Sequence, residues 1–192
     1  MNSKRNKVII RNCTVFNSKN DPGTTSPEML YDAMKCTYPK FYKMDKLCKW
    51  AFVGAEGLFH QNDLYAGIDK NKIAVVLSTA HGCIDVDKRY LAGIAMPSPA
   101  LFVYTLPNIM LGEICIRHGF KGEQVCLVTE QFDAAELFFT TKGLLDRGME
   151  ACLCGWVDVT GDDFDVCLFW VTPGGKGTKF EPAALLDVYN GQ

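Results

Sequence analysis

The hydrophobic periodicity of the chain switches repeatedly between the two-residue period of strands and the longer period of helices. This alternation predicts an α/β domain built on a mixed β-sheet with helices packed on it. The pattern predicts strands at 8–16, 73–77, 125–129, 151–159 and 164–171, and helices at 44–58, 99–116 and 133–147.

The length of 192 residues suits one domain with a core of its own. A chain of this size buries roughly 70% of its unfolded surface, so it needs neither a disulfide nor a metal to fold. We expect one domain over residues 1–173. Residues 174–192, which begin with a glycine-rich run, are expected to form a tail or linker with a short C-terminal element.

Cysteine usage and charge indicate the environment of the chain. Nine cysteines, an odd number, stand mostly in apolar stretches, where free thiols are typical of a reducing compartment, so we expect a cytoplasmic protein. The 20 basic and 22 acidic residues leave a net charge of -2, which does not favour general binding of nucleic acid. No apolar run approaches the roughly 20 residues that span a bilayer, and the N-terminal residues lack the apolar run of a secretory signal.

Three short motifs do not carry the chemistry they suggest. Gly175-Lys176 lacks the glycine and hydroxyl positions of a phosphate loop. Cys152 and Cys154 have no second ligand pair, so we expect no metal and no cofactor. His81-Gly82-Cys83 is a poor base and nucleophile pair, because neighbouring side chains in an extended loop diverge.

The informative stretch is 126–135, where a buried strand passes abruptly into a helix. Unpaired N–H groups and the positive dipole end at such a junction favour an anion, so this is a place to activate a cysteine. Position 131 is nevertheless glutamine, flanked by Glu130 and Phe132. A primary amide cannot replace a thiolate as a nucleophile.

Over residues 8–171 the chain resembles the amino-terminal half of the β-ketoacyl-acyl carrier protein synthases, of the thiolase-like superfamily. The order and spacing of four segments carry the resemblance. They are Tyr-Lys-Met-Asp-Lys at 42–46, Ala-Val-Val-Leu-Ser-Thr at 74–79, Pro-Asn-Ile-Met-Leu-Gly-Glu-Ile-Cys-Ile-Arg-His-Gly-Phe-Lys-Gly at 107–122, and Leu-Asp-Arg-Gly-Met-Glu-Ala at 145–151.

The resemblance implies that Gln131 stands where active synthases carry their nucleophilic cysteine. Glutamine there looks like the chain-length factors, and the short chain looks like partner subunits of aryl-polyene clusters. Such a subunit pairs with an active ketosynthase as a heterodimer in fatty-acid, aryl-polyene or polyketide biosynthesis. The family's catalytic histidines and lysine lie in a second half that this sequence does not contain, so we expect no catalytic residue and no activity of the chain alone.

The resemblance also suggests roles for three groups of residues. In each case a plainer structural role stays open: an interior strand of a monomer, ordinary core packing, or a solvated surface. The strand before the elbow would form a dimer interface through Val125, Cys126, Leu127, Val128 and Thr129. One face of the predicted helix 99–116 would close the partner's acyl tunnel through Phe102, Thr105, Leu106 and Ile109. A basic stripe of Lys40, Lys43, Lys46 and Lys49 would dock an acidic acyl carrier protein.

Two other functions remain alternatives. In the first, Gln131 hydrogen-bonds the enolate oxygen in the decarboxylation of malonyl groups carried on acyl carrier protein. In the second, the chain is a non-catalytic scaffold that associates with itself, as a homodimer, through the strand before the elbow.

Overall fold

The computed structural model describes residues 26–59, 63–174 and 178–191, and the backbone of residues 8–15. Within these ranges the chain forms six strands and seven α-helices, with two short 3₁₀ segments at Pro39–Lys43 and Lys70–Lys72. In chain order the elements are β1 (Val8–Val15), α1 (Pro27–Ala33), α2 (Lys46–Phe59), β2 (Ile73–Thr79), α3 (Ile84–Ala92), α4 (Pro99–Val103), α5 (Ile109–His118), β3 (Gln124–Val128), α6 (Ala134–Asp146), β4 (Ala151–Thr160), β5 (Asp163–Pro173), β6 (Thr178–Lys179) and α7 (Pro182–Tyr189).

The strands form one mixed sheet in the order β3-β2-β4-β5-β1-β6. β2 runs parallel to both β3 and β4, whereas β4 and β5 form an antiparallel hairpin, and β1 is antiparallel to β5 and β6. Every residue of β2 is buried, as expected of a parallel strand covered on both faces. The predicted mixed α/β fold is confirmed.

Helices cover the two faces of the sheet and create two apolar cores. On one face α2 and α5 pack on the sheet, and on the other α6 and α7 do so. The first core includes Leu47, Phe52, Leu77, Ile114, Leu153 and Trp170. The second includes Val76, Leu137, Cys154, Phe169 and Leu185.

The single helix predicted over 99–116 is wrong. The structure has two helices there, α4 and α5, separated by residues 104–108. Pro107 lies in this break, and proline both lacks an N–H and disfavours helical geometry in the residue before it. The apolar spacing across the break therefore does not describe one helical face.

The periodicity did not predict the helices α1 and α3. Val86 is the single buried residue of α3, so this helix contributes little to the core. α7 lies in the segment expected to be a tail or linker with a short C-terminal element, and its Leu185 and the preceding Phe180 are buried in the second core. Residues 178–191 are thus part of the domain. Phe16 of the predicted first strand and residues 175–177 of the predicted linker lie outside the described residues.

Candidate functional site

The elbow between β3 and α6 is held by backbone contacts to the neighbouring strand. The Thr129 N–H donates to the Thr79 carbonyl oxygen at 3.0 Å, which continues the pairing of β3 with β2. The Thr129 hydroxyl donates to the backbone carbonyl of Gln131 at 2.8 Å and tightens the turn. Phe132 is buried, whereas the side chains of Glu130 and Gln131 face solvent. The elbow therefore exposes the Gln131 side-chain amide to solvent.

The N-terminus of α6 is already satisfied by a carboxylate. Asp133 Oδ1 accepts from the N–H groups of Ala135 and Glu136, each at 2.9 Å. This N-cap places a negative charge at the positive end of the helix dipole. The sequence predicted that this junction favours an anion. In the structure the carboxylate of Asp133 accepts the hydrogen bonds that such an anion would accept.

Cys126 is not placed to act as a nucleophile at the elbow. It lies in the middle of β3, inside the strand rather than at the elbow. Burial raises the pKa of its thiol, and a raised pKa lowers the fraction of reactive thiolate.

A second polar cluster lies beside the elbow, at the carboxyl end of β2. Asp158 Oδ1 accepts from the Thr79 hydroxyl at 2.9 Å and from the N–H groups of Ala80 and His81 at 3.0 and 2.9 Å. Its Oδ2 lies 2.7 Å from His81 Nδ1. Burial alone would raise the pKa of Asp158, but the hydrogen bonds from His81 and Thr79 hold it below its ordinary value.

In the sequence, His81 suggests a pair only with its neighbour Cys83, and its contact with Asp158 was not predicted. The contact is visible only in the sheet, because His81 and Asp158 are 77 positions apart. The one signal in the sequence is that Asp158 is the sole charged residue of the apolar strand β4. Cys83 is buried, and burial raises the pKa of its thiol to about 12, so it does not form a thiolate with His81.

β3 is an edge strand. Within the described residues it pairs with β2 alone, so its other side carries unpaired backbone groups. Val125, Cys126 and Leu127 are half-buried, and Val128 is 66% exposed. Among the strands that the structure describes, β3 therefore lies at the edge of the sheet and not in its interior.

The four predicted tunnel residues are not brought onto one helix. Phe102 belongs to α4, Thr105 and Leu106 to the break after it, and Ile109 begins α5. Phe102 is 53% exposed and Leu106 is 48% exposed, whereas Thr105 and Ile109 are half-buried. The Thr105 hydroxyl donates to the Phe102 carbonyl at 2.7 Å and folds the break back on α4. The two exposed residues are not core residues of this chain.

Three of the four stripe lysines pair with acidic residues of the chain itself. Salt bridges join Lys40 to Glu113 at 2.9 Å, Lys46 to Asp162 at 2.8 Å, and Lys49 to Glu28 at 2.6 Å. Lys43 is exposed and has no ion pair with any residue that the structure describes. The stripe therefore offers less free charge than its sequence suggests.

No group of three or more His, Cys, Asp or Glu side chains among the described residues is arranged to hold a metal ion. None of the described helices has the length and apolar character to cross a membrane.

No protein-family model matches the chain, and no curated protein matches it. Solved structures do. One is a ketosynthase (ApeO) in complex with its chain length factor (ApeC) from Xenorhabdus doucetiae, with a TM-score of 0.60 and 13% identity over 96% of this chain and 87% of that chain.

A second is a type II PKS acyl-carrier protein in complex with its ketosynthase bound to the hexaketide (AntDE:AntF). It matches with a TM-score of 0.65 and 12% identity over 88% of this chain, and the match spans 63% of that chain. These likenesses establish the fold: the chain has the thiolase-like, ketosynthase-like fold that its sequence motifs resemble.

Proposed function

We propose that the chain is a ketosynthase-like subunit of the chain-length-factor type, without a catalytic nucleophile of its own. The observation that carries the proposal is Gln131, exposed at a strand-to-helix elbow in a ketosynthase-like fold. Acyl transfer at an elbow requires a thiolate there. Here an amide takes the position and Asp133 occupies the helix N-terminus.

The partner is an active ketosynthase, in fatty-acid, aryl-polyene or polyketide biosynthesis. The free edge of β3 supports this part of the proposal, because an unpaired edge strand with exposed apolar residues is a template for pairing with another chain. The residues that pair are Val125, Cys126, Leu127, Val128 and Thr129. Ketosynthases in complex with another subunit are among the similar structures.

A second exposed apolar region supports contact with a partner and a role in its acyl tunnel. Between residues 91 and 106, six large apolar side chains face solvent, namely Leu91, Ile94, Met96, Phe102, Val103 and Leu106. Patches of this kind mark interaction sites. Within the complex, Phe102 and Leu106 close the far end of the acyl tunnel, with Thr105 and Ile109 behind them.

Docking of an acyl carrier protein falls mainly to Lys43. Lys40, Lys46 and Lys49 already have carboxylate partners in the chain. An incoming acidic surface has to compete with those partners, whereas Lys43 has no such competitor among the described residues.

Co-expression with a ketosynthase encoded beside the chain tests the proposal. We expect the two to co-purify and to give the mass of a 1:1 complex by light scattering. Val128→Lys places a charge on the free edge and is expected to weaken the complex. Ile116→Lys, at an equally exposed residue of α5, is the matched control and leaves it intact. A chain that stays monomeric beside the ketosynthase contradicts the proposal, and a tight homodimer that excludes the ketosynthase supports the scaffold instead.

A further inference from the structure

An open groove lies between the 3₁₀ segment Pro39–Lys43, the end of α3 and α4. Its volume is about 530 Å³, within the range of small-molecule sites. The side chains that matter for binding are Lys43, Arg89, Ala100, Leu101, Val103 and Tyr104. None of them belongs to the elbow or to β3.

The groove retains positive charge after its internal contacts are counted. Its one carboxylate, Glu113, is 3% exposed and is paired with Lys40 at 2.9 Å. The Tyr104 hydroxyl donates to the same carboxylate at 3.4 Å. Lys43 and Arg89 are both exposed, and neither forms an ion pair with a residue in the described part of the chain. Two uncompensated cations therefore stand at the rim.

The remaining lining is apolar apart from Ser98 and the Tyr104 hydroxyl. Ala100, Leu101 and Val103 belong to α4, and Val103 is among the exposed large apolar residues of the chain. A ligand that matches this groove carries an oxyanion at one end and hydrocarbon at the other. The planar fork of an arginine suits a carboxylate, which it binds through two parallel hydrogen bonds.

We propose that this groove binds an aliphatic carboxylate. The carboxylate of the ligand lies between Lys43 and Arg89, and its hydrocarbon tail covers Leu101 and Val103. The proposal concerns the chain by itself and does not depend on the proposed pairing with a ketosynthase, in which Lys43 and Val103 would contact other proteins.

Titration of the full chain with octanoate, followed by calorimetry and by amide chemical shifts, tests this site. We expect saturable binding with shifts at the amides of Leu101 and Val103. The double variant Lys43→Gln/Arg89→Gln is expected to weaken binding about tenfold, because it removes both solvent-exposed cations that hold the carboxylate. Lys121→Gln, an exposed lysine outside the groove, is expected to stay within about twofold of the parent chain.

Two further ligands separate the contributions of the carboxylate and of the hydrocarbon tail of octanoate. 1-Octanol, which keeps the hydrocarbon without the charge, and inorganic phosphate, which keeps the charge without the hydrocarbon, are each expected to bind at least about fivefold more weakly. The proposal is overturned if octanoate does not bind at millimolar concentration, if the double variant binds it unchanged, or if either control ligand matches it. Because the two substituted residues are exposed, we expect the double variant to keep the unfolding temperature of the parent chain. Measuring this temperature verifies that the variant is folded.

Discussion

The ring of Tyr189 stacks on that of Phe132, with 4.3 Å between the ring centroids. This contact joins the last turn of α7 to the residue that follows Gln131 at the elbow. The Tyr189 hydroxyl also donates to the Asp165 carboxylate, which accepts from the Trp156 indole at 3.2 Å. The C-terminal helix is therefore part of the structure that positions the elbow.

Tyr189→Ala is expected to lower the free energy of unfolding by about 1–3 kcal/mol, because it removes the stacking and a half-buried hydrogen bond. Tyr189→Phe keeps the ring and is expected to cost about 1 kcal/mol. Urea unfolding measures both values. Equal stability of the alanine variant and the parent chain contradicts the docking of α7.

The sequence predicted those elements whose own residues show a clear hydrophobic pattern. β2, α2 and α6 follow from their apolar spacing, and the elbow follows from the abrupt change of period at Val128. The sequence did not predict features that depend on tertiary contacts, such as the packing of α7. α7 is short and is stabilised by Phe132 and Asp165, which are distant in sequence.

In the candidate site, too, the sequence predicts what neighbouring residues determine but not the contacts between distant residues. Gln131 could be placed from the sequence, because a strand and a helix flank it. The Asp158–His81 contact and the ion pairs of the lysines could not, because their partners come from other elements. The edge position of β3 likewise depends on strand order, which the resemblance implied and periodicity does not determine.

The stability of the chain is expected to fall as the pH drops from about 6.5 to about 4, in part because of His118. Burial lowers the pKa of this imidazole to about 4, against the opposing pull of Glu56, while Arg117 and Lys70 add to the lowering. The unfolded chain then binds the proton first, so acid favours unfolding across that window. A shift of this size corresponds to roughly 2–3 kcal/mol.

His118→Phe is expected to remove this part of the pH dependence, since Phe59 and Phe120 already surround the ring. The measurement is the urea unfolding free energy of both chains at pH 7 and pH 4. NMR titration of the His118 ring in the parent chain checks the pKa independently, and a value near 6.5 contradicts the account.

Gln131→Cys is not expected to create a reactive thiol. Asp133 places a carboxylate at the helix N-terminus, so the pKa of the new thiol is expected at or above about 8.5, the ordinary value for cysteine. The alkylation rate with iodoacetamide, taken relative to the parent chain, should rise only as the pH approaches that value. Adding Asp133→Ser keeps a cap without charge and is expected to lower the pKa. Fast alkylation of the single variant at pH 6 contradicts this account.

Gln131→Ala distinguishes the proposed function from the decarboxylase alternative. Its side chain is exposed, and the turn uses its backbone carbonyl, so we expect unchanged folding. Release of carbon dioxide from a malonyl-loaded carrier protein by the complex is expected to proceed at the same rate. A loss of tenfold or more gives Gln131 a catalytic part.

Phe102→Ala and Leu106→Ala are expected to lengthen the products of the complex, because smaller side chains leave room at the end of the tunnel. With Phe102 and Leu106 in place, an acyl chain longer by one methylene would have to overpack this space, at a cost of about 1–3 kcal/mol. Mass spectrometry of the released acyl chains reads the outcome. Ile116→Ala, at another exposed apolar residue, is the control, and identical products in all variants remove the tunnel role.

Hydrogen–deuterium exchange of β3 tests the pairing of this edge strand most directly. In the isolated chain we expect rapid exchange at the outward-facing amides of residues 124–129, since they have no strand partner on that side. In the complex with a ketosynthase we expect these amides to become protected, while those of the central strand β2 stay protected in both states. A complex that forms while the exchange of β3 stays unchanged contradicts the claim that this edge is the interface.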